Sequence, residues 1–227
     1  MDAVADGEFA AGSIKSWIGL LNIRQRNFVN SVYSSVDEAA GRELNRLCDE
    51  EGVIPTCKQG CFNCCGQHIL TSVVEAQALA HYIKHEFSRD EIEDLRIRTQ
   101  QWHEWDKTRQ GRHHATHIDE KSTFSAYHYC PILVEGKCRA YPMRPLICRT
   151  HFVCSDPRAC RPSCDPESIK DDPVALASVI VATNPFSLRI RDLIEKAGFD
   201  FYGSIMLLPH WLAIEMNWDF AISPEFG

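Results

Sequence analysis

The chain has 227 residues, 44% of them hydrophobic and 24% charged, with a formal charge of −7. That length buries a full hydrophobic core and favours one domain over two equal ones, while the acidic balance excludes general affinity for nucleic-acid phosphates or anionic membranes, which require clustered Lys and Arg. No apolar run is long enough to span a membrane, and the first dozen residues carry acid where a secretory leader carries base, so a reducing cytoplasm is the expected home.

Between Ser13 and Leu47 apolar residues fall at Trp17, Leu20, Leu21, Phe28, Val32, Val36, Ala39, Ala40, Leu44 and Leu47. This helical spacing predicts one long helix, or two broken near Ser34-Ser35, in an N-terminal region over 13–51. Gly52 and Pro55 end the pattern, and Gly60 and Gly66 place the next segment on a loop. Ser72-Val-Val-Glu75 and Ser88-Arg-Asp-Glu91 are capping boxes. They open one helix to about Glu86 and a second carrying Ile92, Leu95, Trp102 and Trp105, a helical insertion at 72–111 within a core over 52–166.

A polar, His-rich loop follows over 111–127. Pro131–Val134, the turn Glu135-Gly136 and Lys137–Arg139 then read as a small β-hairpin that brings Cys130 and Cys138 to the same end of two strands. Cys154 to Pro166 should be irregular. Asp172-Pro173 predicts a helix start running through Val181, Asn184-Pro185 a second helix closed by Gly198, and Pro209–Trp218 the last, so that C-terminal helices occupy 172–220. The expected fold is a single, mainly α domain over 1–227: a helical scaffold around an irregular cysteine-rich centre with one short β-hairpin.

Eleven cysteines are the strongest chemical signal. Four of them, Cys57, Cys61, Cys64 and Cys65, lie within nine positions, and Cys130, Cys138 and Cys148 form a second burst. Thiolates so spaced on a turning backbone can converge on a metal centre, whereas a structural core has no need of them. A disulfide framework suits small secreted scaffolds, and an odd count leaves one thiol unpaired. Local charge agrees with metal. Lys58 is the one charged side chain from Gly52 to Ser72, and from Cys130 to Thr150 a lone Glu135 faces Lys137, Arg139, Arg144 and Arg149, as anionic thiolates require. Adjacent Cys64 and Cys65 diverge in most backbone conformations, so one zinc ion would take only one of them.

The pattern Cys57-x3-Cys61-x2-Cys64-Cys65, followed by Cys130-Pro, Gly136-x-Cys138, Tyr141-Pro-x-Arg144-Pro145 and Cys148-Arg149, resembles the YkgJ-type cysteine-cluster family, described as a zinc- or iron-chelating domain. The resemblance covers roughly Cys57 to His151. It implies a bound metal centre with these seven cysteines as ligands, and its kinship with flagellin lysine methylases, to which an iron–sulfur cluster is ascribed, makes modification of a protein or peptide substrate conceivable. The long His-rich segment and Cys154, Cys160 and Cys164 depart from the pattern. A radical S-adenosylmethionine site has the Cys57, Cys61, Cys64 spacing as well, but Asn63 stands where that motif has an aromatic residue, and no alternating βα pattern follows.

Iron–sulfur, of the four-iron four-sulfur type, is favoured over zinc by the excess of cysteine over histidine in the motif. Arg144 and Arg149 could orient a bound group, yet an Arg beside Pro more often bonds a loop carbonyl or a thiolate; Tyr141 is read as packing against the centre. His81 and His85, four apart on a helix, are expected to face solvent. His113, His114 and His117 suggest a solvated loop more than a metal site, and His151 is the better candidate for a ligand or a donor to sulfur. Cys154, Cys160 and Cys164 either complete the centre, form a second one or are incidental, and Cys48 is expected to be a small core residue. No nucleophile–base pair, phosphate loop or cofactor fingerprint names a reaction.

Overall fold

A computed structural model describes residues 23–107, 128–161 and 165–220. The part of the predicted N-terminal helical region before residue 23 and the His113–His117 loop, like Cys164, lie outside these residues. Helix α1 (Ile23–Glu51) is continuous through Ser34-Ser35. Val29, Val32, Tyr33, Val36, Ala39, Ala40 and Leu47 are buried, a stripe at the three- and four-residue spacing that one face of a helix requires. Gly52 follows with φ +67°, a left-handed conformation that stops the helix at little cost only when the residue is glycine.

Helix α2 (Val73–Glu86) is the centre of the molecule, with Val73 through Ala80 all buried. Its predicted capping box is formed: Glu75 Oε2 accepts from the Ser72 backbone N–H at 3.2 Å and from its hydroxyl at 2.7 Å. Helix α3 (Arg89–Lys107) has the second box, Ser88 N–H to Glu91 at 2.8 Å and Glu91 N–H to Ser88 Oγ at 3.2 Å. Between them these caps satisfy amide groups that a helix start leaves without partners.

The hairpin is present as β2 (Leu133–Val134) and β3 (Lys137–Cys138), with Leu133 opposite Cys138. Glu135 and Gly136 have φ of 50° and 74°, the double left-handed turn that matches strand twist. A side-chain carbon on Gly136 would lie 3.4 Å from the Phe62 ring, so the hairpin turn rests on the first cysteine loop. Strand β1 (Leu70–Thr71) pairs antiparallel with β4 (Met206–Leu207), a pairing between residues distant in sequence that no local pattern announced. A short helix α4 (Leu146–Thr150) carries Cys148.

The C-terminal half differs from expectation in one respect. A single helix α5 (Ala177–Lys196) runs where two were predicted, with Pro185 inside it and Asp172-Pro173 before its start. Proline removes one helical hydrogen bond, but Pro185 and Val181, one turn earlier, are both on the exposed side, where water can satisfy the freed carbonyl. The opposite side holds the helix through: Val179, Thr183, Ile190 and Ile194 are buried, and α5 packs along α1. Gly198 closes it as expected, with Gly198 N–H to Glu195 O at 3.0 Å and Phe199 N–H to Ile194 O at 3.2 Å, the Schellman pattern. The last helix, α6 (Leu208–Glu215), ends earlier than Trp218 and packs on α2 and α3. Cys48, expected in the core, is exposed, its thiol 3.2 Å from Val53 O. No described helix is long and apolar enough to cross a membrane.

Candidate metal centre

Backbone hydrogen bonds bring the distant cysteine segments together. Cys130 N–H donates to Cys65 O at 2.8 Å, joining the two bursts, and Leu133 N–H returns to Cys130 O at 2.9 Å. Cys64 and Cys65 sit in a 3-10 turn over Asn63–Gly66, and Cys148 lies in the first turn of α4, its N–H bonded to Pro145 O at 2.9 Å. The result is a cavity of about 470 Å³ bordered by Cys61, Cys64, Cys65, Cys130, Cys138 and Cys148. Its inner wall is apolar, from Ile69, Leu79, Ile132 and Leu208, while the exposed residues Gln59, Lys137 and Tyr141 bring it to the surface. Six of the seven predicted ligands therefore share one cavity. Cys57 is not on its wall.

The described cysteines are free thiols. Burial pushes Cys130 up to about 12, with nearby Cys138 adding to it, and holds Cys148 well above the ordinary thiol range with help from Cys130. Cys138 is raised by burial, against the opposing pull of the Ala140 N–H and Arg144. Cys64 goes the other way, to about 7, because the Cys65 thiol donates to it and Arg144 lies close; Cys65 is raised by the same bond. Several thiols crowded in a low-dielectric space cannot all ionise without a cation to offset them.

Arg144 and Arg149, alike in sequence, are used differently. Arg149 is buried and fully engaged. It donates to Arg144 O at 2.8 Å and to Pro142 O, pairs with Asp37 at 2.5 Å, and lies 4.1 Å over the Tyr33 ring. It does not border the cavity; it fixes the loop that does. Arg144 borders the cavity, stacked 4.0 Å over Tyr141 and with Asp37 only at 3.7 Å. Its Nε is buried without a hydrogen-bond partner among the described residues. A buried donor left over beside six thiols fits an anionic thiolate-bound group.

Three residues that sequence reasoning passed over as site residues hold this geometry. Glu75, read only as a cap, also accepts from Tyr33 Oη at 3.3 Å and from Leu146 N–H at 2.8 Å. Glu75, Tyr33 and Asp37 thus tie α2 and α1 to the start of α4, and so to Cys148. Nothing in their spacing signals this, because the contacts span 42 to 112 positions. His151 Nε2 is 3.8 Å from the Cys160 sulfur. His81 is half-buried and His85 exposed, their rings 4.2 Å apart.

Among the described residues, no three His, Cys, Asp or Glu side chains stand where a single metal ion could be held. Zinc–sulfur bonds of about 2.3 Å would require sulfurs about 3.8 Å apart. A polynuclear cluster, with irons and sulfides between its thiolates, spreads them wider, which is the arrangement that thiols around a cavity wall offer. No known protein family, curated protein or solved structure matches the chain.

Proposed function

We propose that this chain is a metalloprotein in which four thiolates of the cavity hold an iron–sulfur cluster, of the four-iron four-sulfur kind, in a structural or redox role. The observation that carries the reading is a cavity bordered by six thiols with no three of them close enough for one ion. When bound, such a cluster supplies one-electron transfer at a potential set by its surroundings. Arg144 offsets its charge and offers Nε as a donor, while Ile69, Leu79, Ile132 and Leu208 keep water from its inner side. Because Cys130 and Cys148 are held protonated by burial, loading releases protons. A zinc protein of the same YkgJ-like type is the alternative, and requires the sulfurs to draw together.

A second reading is favoured by one observation, the surface opening of the cavity at Gln59, Lys137 and Tyr141. A sealed site serves structure alone, whereas an open one admits a protein or peptide side chain to a cluster-dependent modification. Purification under nitrogen separates the metals. Brown colour with stoichiometric iron and acid-labile sulfide is the expected result; a colourless protein carrying zinc rejects the cluster, and one carrying neither rejects metal binding altogether.

A further inference from the structure

The opening of the cavity differs in charge from the rest of the molecule. The chain carries −7 overall, yet among the described residues no carboxylate borders the cavity, and the two charged groups that do are Lys137 and Arg144. A third cation, Lys58, is exposed one position before Gln59, which borders the opening together with Gly60. Neither lysine has an ion pair among the described residues. The neighbouring acids are engaged elsewhere: Asp37 pairs with Arg149 at 2.5 Å and Glu91 with Arg139 at 2.5 Å. Glu135, in the hairpin turn, is exposed and does not border the cavity.

Both lysines stand on backbone that is tied down. Lys137 is in β3, opposite Val134 of β2. The loop of Lys58 is clamped at both ends to the segment after α4: Thr56 N–H donates to Val153 O at 2.9 Å and Thr56 Oγ1 to Ser155 O at 2.6 Å, while Gln67 Nε2 reaches Cys160 O at 2.9 Å. Cys61 N–H closes a turn on Lys58 O at 2.9 Å. A side-chain carbon on Gly60, within that turn, would meet nothing within 4 Å, so the space beside the loop is open. Tyr141, on the border, and Pro142 after it add an exposed apolar step. Groups held in place before a ligand arrives need little further ordering to bind it.

We propose that the opening receives an extended peptide segment with acidic residues on either side of the residue it presents to the cavity. This rests on the reading that the cavity holds a cluster and admits a protein or peptide side chain, and it names the class of substrate. On that reading Arg144 offsets the cluster, so selection of the incoming chain falls to Lys58 and Lys137. A cleft of one sign with apolar walls focuses its field on the opposite charge, and like charges brought together turn a basic segment away. Because the two lysines stand on separate segments, the first cysteine loop and β3, flanking acids on one chain can meet one each. The acids stay at the rim, away from the thiolates, and the Tyr141 ring packs against the backbone between them.

Fluorescence anisotropy on the anaerobically purified full-length protein tests this, with a fluorescein-labelled peptide carrying aspartates on both sides of a Gly-Tyr-Gly centre and a counterpart carrying lysines instead. The aspartate peptide is expected to bind about tenfold more tightly than the lysine one. It should lose most of that advantage when salt rises from about 0.01 to about 0.1 M and the screening length falls from about 30 to about 10 Å. Lys137→Glu and Lys58→Glu should each weaken it about 2- to 10-fold. Lys196→Glu, the same charge change on an exposed residue ending α5, should leave it unchanged, and Lys58→Glu carries the test if Lys137→Glu does not fold. Equal binding of the two peptides, an equal loss in all three variants, or full competition by glutarate, which would make a small acid the ligand, overturns the proposal. Iron and zinc measured on the same preparation keep the two readings apart. A metal-loaded chain without the preference overturns this inference alone, whereas a chain without metal overturns the proposed function and this inference with it.

Discussion

Two regions of the molecule are held together by different forces. The α1, α2 and α5 scaffold is a continuous apolar core in which Val32, Val36, Leu79, Ile190 and Ile194 are fully or almost fully buried, so its stability grows with the area it removes from water. The segments 53–69 and 128–161 have short elements joined by backbone hydrogen bonds between distant loops, and meet that core through Ile69, Ile132, Ala140 and Met143. Such segments have few local contacts to resist opening. The difference teaches that the scaffold can form from its own side chains, whereas the cysteine loops, on the proposed reading, are completed by a metal centre.

Removing metal should separate the two regions most widely. A structural zinc site in small peptides contributes about 10–16 kcal/mol, so stripping the protein with a chelator should speed amide exchange across 56–66 and 128–161 while far-UV circular dichroism keeps its helical amplitude. A collapse of the helical signal would show that the scaffold does not stand alone. Glu75→Gln tests the joint between them. The variant weakens charge-assisted bonds to Ser72, Tyr33 and Leu146 N–H, and should cost about 1–3 kcal/mol in urea unfolding, with metal affinity falling as well because α4 loses its anchor. Unchanged stability would remove Glu75 from the joint.

Gly136→Ala probes the loops alone. Its φ of +74° and the Phe62 ring at 3.4 Å predict a loss of about 1–2 kcal/mol, read as a lower urea midpoint of the metal-loaded protein; a neutral result would mean the turn can relax. The smallest effect concerns the scaffold. Burial and the neighbouring His210 bring His103 down to about 4, below the ordinary 6.5. The folded state therefore binds fewer protons than the unfolded chain between those values, so this contribution is full above pH 6.5 and fades as pH falls toward 4. His103→Gln keeps a donor for Pro209 O, which His103 Nε2 meets at 3.1 Å. It should flatten that part of the stability–pH curve; an identical slope in both proteins would assign the pH dependence elsewhere.

What could be read from sequence was what neighbours decide. Ser72 with Glu75, Ser88 with Glu91, Glu135-Gly136 and Gly198 all act within a few positions, and each sits where its chemistry placed it. Pro185 misled because a local preference for breaking yields when one side of the helix is packed and the other is wet. The β1–β4 pairing and the Asp37, Tyr33 and Glu75 network depend on residues far apart, for which a single sequence holds no spacing to read. The cysteine bursts pointed to a gathering of thiols, but the bonds of Thr56 and Gln67 to partners beyond residue 150, which hold the first cysteine loop, have no local signal.

The clamp of Thr56 to Val153 and Ser155 also sets an order of events during synthesis. Cys57 leaves the ribosome 103 positions before Cys160, a delay of about 5–20 s at 5–20 residues per second. Throughout that interval the early thiols are bare, without the strand of chain that shields them. Until residue 153 has emerged, the Cys57 sulfur lacks the Val153 N–H from which it accepts in the folded chain.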